Sequence, residues 1–83
     1  PVKRIGRDRF IRNVLMAAGN SADPKLITPC LALAGDASPM VRGMAIWALK
    51  QLMPAEEFER FATSAQGEHD PEVLDEWRLA GAL

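Results

Sequence analysis

The chain has 83 residues, 48% apolar and 25% charged, with one cysteine and one histidine. Those values fit one small folded domain in a reducing, cytoplasmic setting, and they exclude a disordered chain, an internal disulfide and a long apolar membrane span. The net charge of −1 conceals a gradient. Residues 1–12 hold Lys3, Arg4, Arg7, Arg9 and Arg12 against Asp8 alone, a local +4. Residues 54–83 hold Arg60 and Arg78 against eight acids, a local −6. A basic end on an otherwise acidic domain points to an anionic partner there. The start PVKRIGRDRF leads into no uninterrupted apolar stretch, so no signal peptide is read. The missing initiator Met suggests a piece of a longer polypeptide.

No alternating strand pattern occurs, and helix signals recur. Asp8 can open a first helix with Phe10, Val14 and Ala18 on one face and Ile11 and Leu15 beside them. Gly19-Asn20 ends it, since both residues tolerate positive φ. Asp23-Pro24 opens a second helix whose apolar side is Leu26, Ile27, Cys30, Leu31, Leu33 and Ala34. Pro29 inside it requires a bend or a later start. After the break at Gly35-Asp36, Ser38-Pro39 begins the clearest helix, running to about Leu52. Its apolar face is Val41, Met44, Ala45, Ala48, Leu49 and Leu52. Met53-Pro54 leads to a fourth helix with Phe58, Phe61, Ala62 and Ala65. A loop over 66–69 precedes Asp70-Pro71, which opens a fifth helix with Val73, Leu74, Trp77 and Ala80 inward.

The chain echoes itself. Pro39 and Pro71 are each preceded by an acid, Asp36 or Asp70, and each is followed by Val at the second position and Ala at the ninth. Asp23-Pro24, with Leu26 and Leu33, repeats the frame. A period of this length means stacked helix pairs that bury apolar faces against their neighbours. The expectation is an all-α, α-solenoid fragment of about five helices, one domain over 1–83 with a basic segment at 1–12.

Two stretches carry family resemblances. The run from Asp36 to Leu49, with its acid, Pro39, Val41-Arg42 and spaced alanines, resembles a HEAT-type repeat. The stretch PVKRIGRDRFIRNVLMAAGNS is similar to the start of the C-terminal domain of epoxyqueuosine reductases, through Lys3, Arg4, Gly6, Phe10, Arg12, Asn13, Gly19 and Asn20. That resemblance implies a parent enzyme, an oxidoreductase of queuosine tRNA modification that uses cobalamin and iron–sulfur clusters. It also implies that this domain helps hold tRNA, near the anticodon, beside the upstream catalytic domains. The alternative is a HEAT-like scaffold for protein–protein interaction.

No catalytic, cofactor or metal residue is assigned. Clusters need several thiolates and only Cys30 is present. His69 has no companion at metal spacing, and a lone His completes no triad. Cys30 reads as a buried structural thiol, and Trp47 and Trp77 as core. The candidate nucleic-acid contacts are Lys3, Arg4, Arg7, Arg9 and Arg12, because cations supply the sequence-independent affinity for phosphates. Arg42 is expected to pair with Asp36 or Asp70 between units, in preference to touching RNA. The acids of 54–83 would repel RNA and restrict it to the N-terminal side.

Overall fold

The computed structural model describes residues 2–65 and 67–82, with the side chains of residues 2 and 4 outside that description. The described residues form five α-helices: α1 Val2–Asn20, α2 Ile27–Leu33, α3 Pro39–Leu52, α4 Ala55–Ser64 and α5 Pro71–Leu79. A 3₁₀ turn, Pro24–Leu26, leads into α2, and the described residues contain no strand. α3 is the centre of the packing, with α1 and α5 on its flanks and α2 across it. This is the all-α stack that the sequence repeats imply.

Local chemistry accounts for the starts of α3, α5 and the 3₁₀ turn. Ser38 stands before Pro39, and its hydroxyl accepts from the Val41 N–H at 3.4 Å. Asp70 stands before Pro71, and its carboxylate accepts from the Glu72 N–H at 2.9 Å. In both, a side-chain oxygen takes up an orphan first-turn donor, and proline occupies a position where its missing N–H costs nothing. Asp23 does the same for Lys25, at 3.0 Å, but it opens the 3₁₀ turn. The α-helix itself starts later, at Ile27. That delay resolves Pro29, which lies in the first turn of α2, where no intrahelical N–H bond is required.

α1 departs from expectation in three ways. It starts at Val2 and not near Asp8, because Gly6, the one weak helix former there, costs only about 1 kcal/mol. Asp8 is therefore a mid-helix residue, and it is largely buried. The inward stripe is Asp8, Ile11, Leu15 and Ala18, while Phe10 and Val14 are exposed. Lastly, the helix ends at Asn20 as expected, but neither Gly19 nor Asn20 takes positive φ: the left-handed turn falls on Ala22, with φ 58°. The Ser21 hydroxyl steadies this turn by donating to the Ala18 carbonyl at 2.6 Å. The glycine has another use. A methyl group at Gly19 would enter the Trp47 ring and lie 3.1 Å from the Ala48 Cα. Its bare backbone lets α1 and α3 approach closely.

The core gathers Leu15, Cys30, Val41, Ala45, Ala48, Leu49, Phe58, Val73 and Trp77. α4 joins through an aromatic cluster in which the Phe61 and Trp77 rings lie 5.3 Å apart and Phe58 lies 5.9 Å from each. Such contacts add to the area term that holds a small domain together. Trp77 is core, as expected, whereas Trp47 is half-buried over Gly19.

Candidate nucleic-acid interface

The basic segment becomes the first turns of α1, and helical geometry sorts its residues. Two exposed stripes flank the buried one. Lys3, Arg7, Phe10 and Val14 run along one edge, and Ile5, Arg9, Arg12 and Met16 along the other. The cations proposed from sequence are thus divided between two edges.

They are also unequal in freedom. Arg7 is held by Asp36 through Nη2 to Oδ1 at 2.6 Å and Nη1 to Oδ2 at 3.2 Å. Its Nη1 also donates to Asp8 at 2.8 Å. This pair raises the Arg7 pKa and, with the Ser38 N–H, holds the Asp36 carboxyl below the usual carboxylate range. Arg12 is half-buried, and its Nε is shielded without a hydrogen-bond partner among the described residues. Lys3 and Arg9 are exposed, with no ion pair among the described residues. The Arg4 side chain lies outside the described residues.

Arg42 makes a second link of the Arg7 kind. Its Nε and Nη2 donate to Glu68 Oε1 and Oε2 at 2.9 and 3.0 Å, and its Nη1 donates to the Asp36 and Ala37 carbonyls, both at 3.0 Å. The partner carboxylate is Glu68, not that of Asp36 or Asp70, because Asp36 is taken by Arg7 and Asp70 caps α5. Glu68 also accepts from the Asp70 N–H at 3.0 Å, and Arg42 holds its carboxyl low. The two links share one design. An arginine on one helix grips an acid two residues before the cap of the next flanking helix: Asp36 before Ser38, and Glu68 before Asp70. The pattern acid-x-cap-Pro was readable in sequence as Asp36-Ala37-Ser38-Pro39 and Glu68-His69-Asp70-Pro71, and it would have identified Glu68.

An open groove of about 590 Å³ lies between α2 and α4, lined by Leu31, Ala34, Ile46, Phe61 and Trp77 and bordered by the Arg42–Glu68 pair. Among the described residues no three His, Cys, Asp or Glu side chains converge as metal ligands would, and no helix is long and apolar enough to cross a membrane. Cys30 is buried, and that burial pushes its thiol pKa up, away from the reactive thiolate.

Helices α1, α3 and α5, stacked through arginine–acid links with α2 and α4 between them in the chain, define a helical-repeat scaffold. A family model for HEAT repeats matches residues 7–80, and the chain belongs to that family. No curated protein and no solved structure matches it. HEAT repeats are helical scaffolds suited to macromolecular interaction.

Proposed function

We propose that this domain is the tRNA-holding accessory part of an epoxyqueuosine reductase, non-catalytic by itself and acting in the cytoplasm. The carrying observation is that the stretch similar to that family lies on the single helix α1, where Arg9 and Lys3 stand exposed and unpaired among the described residues. The eight acids of residues 54–83 disfavour phosphate elsewhere, so RNA is confined to α1. The edge bearing Arg9 and Arg12 is the main phosphate-contacting one, and Lys3 adds a cation from the opposite edge near the helix start. Arg7 serves mainly as the link to Asp36.

The redox chemistry of such an enzyme is not carried by these residues. Iron–sulfur clusters take several thiolates, and the single thiol here is buried. The catalytic groups belong to partner domains of the same enzyme, which this domain would position against the tRNA.

The test is the tRNA affinity of the polypeptide carrying this domain, measured at two salt concentrations. Arg9→Ala combined with Lys3→Ala is expected to weaken binding, and the log–log salt slope is expected to fall by roughly 0.7–0.9 for each phosphate no longer neutralised. Unchanged affinity and slope would remove RNA from α1. The scaffold reading would then stand alone.

A further inference from the structure

The two linking arginines define equivalent positions on α1 and α3, because each grips the acid before the next cap. Three and seven residues after Arg42 come Ala45 and Leu49, both with 0% exposure. Three and seven residues after Arg7 come Phe10 and Val14, with 69% and 47% exposure. α3 has α2 across it, whereas the described residues place no helix over this edge of α1. A large aromatic and a β-branched residue therefore occupy, in the open, the positions that are core on α3. Such a stripe on a small domain marks a contact surface.

We propose that this edge of α1 receives an amphipathic helix of a partner protein, one with an apolar stripe and acidic residues along its border. The apolar stripe covers Phe10 and Val14 with i, i+3 and i+4 side chains, as in other helix-on-groove recognition. The acidic border follows from charge. Lys3 lies on this edge, exposed and unpaired among the described residues. The acids beside this edge, Asp8 and Asp36, are both bonded to Arg7, so Lys3 attracts an acidic border and repels a basic one. A second copy of this chain would bring another basic α1 to the same place, which disfavours self-pairing there. The proposal shares Lys3 with the tRNA reading but rests on Phe10 and Val14, and it leaves Arg9 on the opposite edge, so Arg9→Ser separates the two.

The probe is a synthetic amphipathic helix with leucines at i, i+3, i+4 and i+7 and glutamates bordering them. A lysine-bordered helix of the same apolar stripe is the control. Binding to the 83-residue chain is followed by fluorescence anisotropy, with backbone amide shifts to locate it. The glutamate-bordered helix is expected to bind and to shift α1 amides around Phe10, and Phe10→Ser or Val14→Ser should weaken it by about tenfold or more. Arg9→Ser should leave the apolar contact in place and change affinity only slightly. Both serine variants alter exposed positions, and unchanged circular dichroism confirms that they fold. Equal binding of the lysine-bordered helix overturns the proposal, as does no binding of either helix. So does sedimentation showing a self-dimer that Phe10→Ser abolishes, or a uridine-rich RNA oligonucleotide whose binding Phe10→Ser abolishes. In those two cases the occupant is a second copy or a nucleic-acid base.

Discussion

α1 and α3 are built alike and end differently. Each carries an arginine that grips the acid before the next helix, and each packs a flank against its neighbour through small residues. α3 is enclosed on both flanks and across its face, so Val41, Ala45 and Leu49 have no exposure. α1 has one neighbour of its own rank, and its apolar residues outnumber the positions that neighbour can cover. In a stacked-helix protein the fate of an apolar residue is decided by what stands next to the helix as well as by the helix's own periodicity. The surplus on α1, Ile5, Phe10, Val14 and Met16, is left in the open.

The largest expected difference is between paired truncations on the two helices. Leu49→Ala leaves a cavity at the junction of α3 with its neighbours and should cost roughly 2–5 kcal/mol. Val14→Ala at the equivalent position of α1 should change stability by no more than about 0.5 kcal/mol. Denaturant unfolding of the two variants checks both. Similar losses would show that α1 is covered after all.

Gly19 comes next. Gly19→Ala puts a methyl group into the Trp47 ring and against the Ala48 Cα, so α1 must move off α3. Overpacking of this kind costs about 1–3 kcal/mol, despite the better helix propensity of alanine. Trp47→Ala, made together with it, should recover part of the loss by vacating the collision. Additive losses in the double variant would place the strain elsewhere.

That glycine also shows where sequence reading stops. Helices α3, α4 and α5 were legible because caps and prolines mark their starts and a single phase fits their apolar residues. α1 has apolar residues nearly all round, at Ile5, Phe10, Ile11, Val14, Leu15, Met16 and Ala18. Two phases fit, one through Phe10 and Val14 and one through Ile11 and Leu15, and only the position of α3 chooses between them. Gly19 followed by Asn20 has the local form of a stop signal, yet its role is set by Trp47, far along the chain. The basic cluster was legible as charge. Its division into a committed Arg7 and an unpaired Arg9 was not, because that depends on where Asp36 arrives in space.

The two arginine–acid links differ in how far they are shielded from water. Arg42 and Glu68 are the better shielded pair, with side chains 22% and 14% exposed. Removing Arg42 strands the Glu68 Oε1 and the Asp36 carbonyl, and Arg42→Ala should cost roughly 1–3 kcal/mol. Arg7→Ala should lower the melting temperature less, because the Arg7 side chain is half in water. Both carboxylates are held below their ordinary pKa by their arginines. An acid depressed in the folded state contributes stability above its unfolded pKa, near 4, and loses that contribution as pH falls through the folded value. The wild-type chain should therefore weaken below about pH 4. With either arginine removed, that acid slope should flatten, which urea midpoints taken at several acidic pH values would record.

The smallest effect has the opposite sign. Glu76 lies on α5 against Gly43, whose missing side chain gives it room, beside Trp47 and Lys50. Burial first, and Asp75 second, raise its pKa. An acid raised in the folded state is less at ease ionised there than in the unfolded chain. Its contribution to stability falls as pH climbs from the unfolded value, near 4.3, through the folded one. At neutral pH the carboxylate is thus a small burden, and the nearby Lys50 does not reverse the direction. Glu76→Gln keeps the shape and removes the charge, so the melting temperature at pH 7 should rise by up to a few degrees. The gain should vanish below about pH 4, where Glu76 itself is protonated. A loss at pH 7 would mean that the carboxylate is stabilised in place, with Lys50 as the cation responsible. Lys50→Met in the same background would then remove the difference.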